Sequence, residues 1–212
     1  MRVIIMRHGE AMFEGPERVL TSRGREEVKM TTLKLLSSYN VTKIFCSPKK
    51  RALQTAQVVH SLLRGSNVPE VQILPELAPM GDASLVYDYI NAVGTDNDTI
   101  LLISHIPQVL SLAEAFTAID CDVPRFVTGG ALILQQFDST ASYPRFAPES
   151  FFTPSSELIY PQSQVAAAIY HADKPAQSAH VATTPVTWDA VPGALMGTVL
   201  GTGSSTHSFA NA

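Results

Sequence analysis

An α/β fold organised on a largely parallel sheet follows from three features of the sequence. Short apolar runs, Val3-Ile4-Ile5-Met6, Ile44-Phe45-Cys46 and Ile100-Leu101-Leu102-Ile103, have the length and composition of buried strands. Stretches with apolar residues at helical spacing separate them, and such alternation of strand and helix marks parallel β-α-β units. Each run also ends in chemically capable residues: Arg7-His8-Gly9, then Ser47-Pro48 with Arg51 beyond, and Ser104-His105. Ligands of open α/β sheets bind at the carboxyl ends of the strands, so parallel strands would bring these three ends together.

The first strand is expected at 2–6. Residues 11–20 read as irregular, with Gly15-Pro16 marking a turn. Thr21 or Ser22 can cap a helix over 22–37, whose inner stripe is Val28, Thr32, Leu35 and Leu36, with Glu26, Glu27 and Lys29 facing water. A second strand is expected at 42–46, and Pro48 falls near the start of a helix over 49–64, a position proline tolerates. Ala52, Ala56, Val59 and Leu63 recur at helical spacing and face the sheet, with His60 at the margin as a structural or surface residue. A short strand over 71–74 leads into a loop from Pro75 to Gly81. Asp82 caps a helix over 83–93 that Gly94 closes, its apolar face being Val86, Tyr89, Ile90 and Val93. The turn Asn97-Asp98 enters the strand 99–103. Pro107 begins a helix reaching 117, with Val109, Leu112, Ala113 and Phe116 inward. Gly129-Gly130 precedes a strand over 131–137, and an edge strand is expected over 143–152.

Beyond about residue 150, Ser, Thr, Ala and Pro dominate, and prolines from Pro154 to Pro192 break any long helix. The expected organisation is a domain over 1–149 and a poorly ordered tail over 150–212. His171, His180 and His207 are scattered in that tail and form no site.

Composition narrows the function. The chain has 212 residues, enough for one domain with a sizeable core, and 45% of them are apolar. Its formal charge of −4 gives no basic surplus to suggest nucleic acid. The N-terminal apolar run is shorter than the roughly 7 residues of a secretory core, and no apolar stretch reaches the roughly 20 residues of a membrane span. The two cysteines, Cys46 and Cys121, make a disulfide framework unexpected and fit a cytoplasmic location, Cys46 being read as a core thiol. The six histidines show no metal-ligand spacing, so neither a metal nor another cofactor is expected.

The ordered blocks Arg7-His8-Gly9, Ser47-Pro48-Lys49-Lys50-Arg51-Ala52-Leu53-Gln54-Thr55-Ala56 and Ser104-His105 resemble the histidine phosphatase superfamily. Leu20-Thr21-Ser22-Arg23-Gly24 also matches its pattern. Leu74-Pro75-Glu76-Leu77 with Gly81-Asp82, and Ile103-Ser104-His105-Ile106-Pro107, are similar to its small bacterial branch, the SixA-type phosphohistidine phosphatases. The resemblance covers about 1–148. It implies a phosphoglycerate mutase-like fold, a central sheet with helices on both faces, and a site at the carboxyl ends of the strands. The histidine of Arg-His-Gly is the family's nucleophile, and it maps onto His8.

The residues themselves suit that chemistry. Phosphoryl transfer depends mostly on positioning and on stabilising negative charge. Arg7 and Arg51 offer permanently charged planar forks for phosphate oxygens. His105 can add a donor, and Ser47 a hydroxyl or a means of shaping the loop. Neighbouring cations disfavour imidazolium, which keeps His8 in its reactive neutral form. Glu76 is the candidate general acid, being in the loop where relatives acting on phosphate esters carry a carboxylate. Asp82 is second and reads better as a helix cap. Glu10 reads as a local partner of an arginine.

The substrate implied by the resemblance is a phosphohistidine protein, the histidine-containing phosphotransfer domain of a sensor kinase, with phosphate released and no nucleic-acid or membrane partner. A monomer is expected. Little chain between Arg51 and His105 is left over for a lid, which suits a side chain displayed on a protein. The alternatives are a small-molecule phosphomonoesterase of the same superfamily and a non-catalytic phosphoprotein-binding module.

Overall fold

The computed structural model describes residues 1–117, 124–138 and 145–160. Cys121, the first residues of the expected last strand, and the tail beyond residue 160 with its three histidines lie outside them.

The sheet is built outward from its most buried strand. Strand β1 (Arg2–Arg7) carries four wholly buried residues, Val3 to Met6. The remaining strands of the sheet are β4 (Lys43–Cys46), β5 (Val71–Ile73), β6 (Thr99–Ser104), β7 (Ala131–Asp138), β8 (Arg145–Phe152) and β9 (Glu157–Ile159). Their order is β5-β4-β6-β1-β7-β8-β9. The pairs β5–β4, β4–β6 and β6–β1 are parallel, while β7, β8 and β9 continue the sheet in antiparallel fashion.

Because side chains alternate along a strand, each face collects its own core. Val3 and Ile5 of β1 pack with Phe45, Leu102 and Leu132 against helices α3 (Ala83–Val93) and α4 (Gln108–Thr117), through Val86, Ile90, Leu112 and Phe116. Ile4 and Met6 pack with Ile44, Ile103 and Ile133 against α1 (Ser22–Ser38) and α2 (Lys50–Leu62), through Val28, Leu35, Ala52, Ala56 and Val59. The expected α/β class, with helices on both faces, is therefore what the chain adopts.

Helix boundaries follow local chemistry. Thr21 caps α1 by accepting the Gly24 N–H at 2.9 Å. Asp82 caps α3, its Oδ1 accepting from the Ser84 and Leu85 N–H groups at 2.8 and 3.4 Å, so it is the cap the sequence suggested.

Three elements differ from expectation. Residues 11–20 form a hairpin of β2 (Ala11–Glu14) and β3 (Glu17–Leu20), with Gly15 at φ 61° in the turn. This left-handed conformation suits glycine. β8 is not an edge, because β9 pairs along its outer side. The sheet thus runs past residue 149, where the domain was expected to end. Lys34 of α1 fixes the β8–β9 turn by donating to the carbonyls of Thr153 and Pro154 at 3.0 and 3.1 Å. Finally, Glu27 does not face open water. Its carboxylate accepts the Glu10 N–H at 3.1 Å and pairs with Arg23 at 3.2 Å.

Candidate active site

Strand register assembles the site. In the parallel pairing of β1 with β6, Arg7 lies beside Ser104, so His8 and His105 leave the sheet as neighbours. Their ring centroids are 5.0 Å apart with planes inclined at 55°. Pairing of β4 with β6 sets Cys46 beside Ile103, which delivers Ser47 to the same edge. The Ser47 hydroxyl lies 2.7 Å from His105 Nε2. Helix α2 begins just beyond and brings Arg51 back over His8, its Nε–H donating to His8 Nε2 at 3.1 Å. His8, Arg51, His105 and Ser47 are thus brought together, with Arg7 the residue before His8 at the end of β1.

The hydrogen bonds define the state of His8. Nδ1 lies 2.7 Å from the Gly9 carbonyl oxygen, which can only accept, so Nδ1 carries the proton. Nε2 then holds the lone pair, and the Arg51 guanidinium donates to it. Burial, offset in part by the Gly9 bond and reinforced by Arg51, Arg7 and Arg18, lowers the His8 pKa from 6.5 to about 4. Burial, with Arg51 adding to it, likewise takes His105 down to about 3. Both rings are neutral near pH 7.

The folded chain binds these protons less readily than the unfolded chain, where histidine titrates near 6.5. Their contribution is complete above that pH and is lost as the pH falls through about 4 for His8 and about 3 for His105. NMR titration of the free protein is expected to show the His8 and His105 ring signals flat from pH 8 to about 5. Titration of either ring near 6.5 would contradict this electrostatic picture.

The two arginines are held differently. Arg7 donates through one terminal nitrogen to the Phe126 carbonyl at 2.9 Å, while its buried Nε has no hydrogen-bond partner among the described residues. His105 Nδ1 is likewise buried and unpartnered among them. Ser47 is fully buried, and its hydroxyl oxygen also accepts the Lys49 N–H at 3.3 Å, so it is engaged with His105 and its own loop.

The Arg-His-Gly segment crosses the start of α1 closely. A β-carbon on Gly9 would strike the Gly24 carbonyl, and one on Gly24 would strike the Glu10 backbone. The paired glycines let the loop carrying His8 lie against the helix. Glu10 is a local ionic partner, as expected, with Arg23 at 3.7 Å.

Glu76 lies in a single 3-10 turn, Pro75–Leu77, after β5. That turn is tied to both sides of His105: Ser104 Oγ donates to the Leu77 carbonyl at 2.6 Å, and Gln108 Nε2 to the Glu76 carbonyl at 3.0 Å. Gly81 closes the loop against the Glu76 carbonyl, where a β-carbon could not fit.

Several supporting residues escaped the sequence reading. Thr55 Oγ1 accepts the Gly9 N–H at 3.3 Å and donates to the Arg51 carbonyl at 2.8 Å, linking the two motifs. It lies one helical turn after Arg51, so helical spacing was a usable signal. Gln54 Oε1 accepts the Leu20 N–H at 2.7 Å, joining the hairpin to α2. Arg18 and Gln108 had no local signal. Cys46 is a buried core thiol, pushed up to about 11 by burial and so unreactive. His60 is exposed.

A pair of neutral histidines among arginines at the carboxyl edge of an α/β sheet defines a phosphoryl-transfer class of site. A sequence model of the histidine phosphatase superfamily, branch 1, matches residues 3–81. The phosphohistidine phosphatase SixA of Escherichia coli K12 is 36% identical over 115 residues, spanning 51% of this chain and 70% of that protein. The structure of the protein histidine phosphatase SixA complexed with tungstate superposes with a TM-score of 0.64 at 28% identity, covering 73% of this chain and 98% of that one. A phosphoserine phosphatase from Entamoeba histolytica, in complex with 3-phosphoglyceric acid, shares the fold at 16% identity, with a TM-score of 0.52 and coverage of 71% and 95%. The chain belongs to the histidine phosphatase superfamily, and it is a phosphatase. No helix among the described residues is long and apolar enough to cross a membrane.

Proposed function

We propose that the chain removes phosphate from histidine-phosphorylated signalling proteins, with histidine-containing phosphotransfer domains of sensor kinases as the substrate class. The observation that carries the mechanism is the His8 Nε2 lone pair. It is unprotonated because Nδ1–H is committed to Gly9, and it is aimed by Arg51. The substrate class rests on the likeness to the Escherichia coli phosphohistidine phosphatase.

His8 Nε2 attacks phosphorus, and the bond from phosphorus to the substrate imidazole breaks. The departing nitrogen takes a proton. Water then attacks the phosphoryl group on His8, the P–Nε2 bond breaks, and inorganic phosphate leaves with His8 again neutral. Arg7 and Arg51 hold the phosphoryl oxygens. The Nε of Arg7, unpartnered among the described residues, is available for this, and burying a donor without an acceptor is costly enough to favour an anion there. His105 donates from Nδ1 when the Ser47 hydroxyl donates to its Nε2, which makes Ser47 a positioning residue in place of a direct phosphate ligand.

Glu76 is the general acid, and its importance depends on the leaving group. Imidazole titrates near 6.5 and can be protonated from solvent, whereas an alkoxide cannot leave cheaply without an acid. Glu76→Gln is therefore expected to cost about tenfold or less on a phosphohistidine protein and about 10²–10⁴-fold on an alkyl phosphomonoester. Both rates are to be measured on one preparation. Equal losses would remove Glu76 from the leaving-group step. A wild-type preference for the monoester would instead favour a small-molecule phosphomonoesterase.

A further inference from the structure

The geometry points to a second recognition element beside the phosphoryl site: the groove between the β2–β3 hairpin and the start of α2 binds an acidic segment flanking the phosphohistidine of the substrate protein. This rests on the phosphohistidine reading above and deepens it. The groove has a volume of about 260 Å³ and is lined by Phe13, Glu17, Arg18, Lys49, Lys50 and Arg51 among others. Four cations therefore face one carboxylate, on a chain whose formal charge is −4. A positive groove on an acidic protein selects its occupant by charge.

The cations are available. Lys49 is exposed, and its ammonium has no hydrogen bond or ion pair among the described residues. Among the described residues Lys50 makes only long contacts, with Glu14 and Glu17 at 3.7 and 3.9 Å, on exposed side chains that an incoming carboxylate could displace. Arg18 spends one terminal nitrogen on the Ala11 carbonyl at 2.8 Å and lies 5.8 Å from the Phe13 ring. Phe13 itself is 71% exposed, an apolar surface at the groove mouth that suits the flanking side chains of a peptide better than water.

Continuity with the catalytic cluster sets the register. Arg51 lines the groove and also donates to His8, so an occupant of the groove lies next to the phosphoryl group being transferred. Free phosphohistidine would fill only the His8 end. The hairpin is joined to α2 through Gln54 and Leu20, which gives the groove two fixed walls.

The test uses the full chain and three synthetic peptides of equal length. Each carries one phosphohistidine, flanked by glutamates, alanines or lysines. The KM is expected to be lowest for the acidic peptide, roughly five- to tenfold below the neutral one and further below the basic one, as two or three partly exposed ion pairs allow. Raising the salt concentration should compress the series. Lys49→Glu is expected to shrink the acidic-over-basic preference at least about fivefold, weakening the acidic peptide and improving the basic one. A merely structural defect would scale all three alike, and that outcome would overturn the inference. Hydrolysis of all three peptides by the wild type with one KM would also overturn it while leaving the phosphohistidine reading intact. If neither the peptides nor free phosphohistidine are hydrolysed while a phosphomonoester is, the reading and the inference fall together.

Discussion

Replacing His8 with alanine is expected to abolish turnover in a protein that still folds. On the proposed mechanism no covalent intermediate forms without the Nε2 lone pair, and losing a nucleophile from an enzyme that works through one typically costs on the order of 10⁴–10⁶-fold. The residual rate would be what phosphate binding alone supports. His8 is buried, 4% exposed, but it sits past the end of β1 at the site edge and not within either apolar cluster. Removing it loses the bonds to Gly9 and from Arg51, each a net contribution of about 0.5–1.5 kcal/mol, and a ring contact with His105. That is tolerable against a typical stability of about 5–15 kcal/mol. Circular dichroism and a melting curve would establish folding, and a near-normal phosphatase rate in the folded variant would refute the assignment of His8.

Arg51→Lys is expected to be the next most damaging change. A lysine keeps the charge, so the field that helps hold His8 neutral is largely retained. What it loses is the planar fork, through which Nε addresses His8 Nε2 and, on the proposed mechanism, the terminal nitrogens hold phosphoryl oxygens. Removing such a preorganised donor commonly costs about 10²–10³-fold in kcat. The loss should appear in kcat while the His8 NMR titration moves little. A rate within about twofold of wild type would place Arg51 outside the phosphate pocket.

What the sequence made legible was set by burial and by close backbone approach. β1, β4 and β6 were readable because their residues are almost all buried and hence apolar without interruption. The convergence of Arg7-His8, Ser47 and Ser104-His105 followed from parallel strands alone. Helices were readable to within a residue or two from their stripes and caps, Thr21 and Asp82 above all. The hairpin escaped because Ala11–Glu14 and Glu17–Arg18 are mostly exposed, so no alternation of apolar and polar residues marks them. β9 escaped for the same reason. All three of its residues are exposed, and it exists through pairing with β8 and the anchored turn, neither of which is a local property. The shielding of Glu27 needed the Arg-His-Gly segment to fold back on α1, a contact that Gly9 and Gly24 permit but that neither announces alone. At the site, the sequence supplied the residue types. The tautomer of His8 is set by one carbonyl, that of Gly9, which only the folded structure places against Nδ1.

On the proposed mechanism the phosphoryl group passes through His8 Nε2. Rapid acid-free quenching of the full chain after mixing with a ³²P-labelled phosphohistidine protein, followed by peptide mapping and ³¹P NMR of the denatured phosphoenzyme, tests it directly. An acid-labile, base-stable label is expected on His8, attached at Nε2 because Nδ1–H is held by Gly9, and absent from His8→Ala. Turnover with no trapped label, a label on another residue, or attachment at Nδ1 would contradict it.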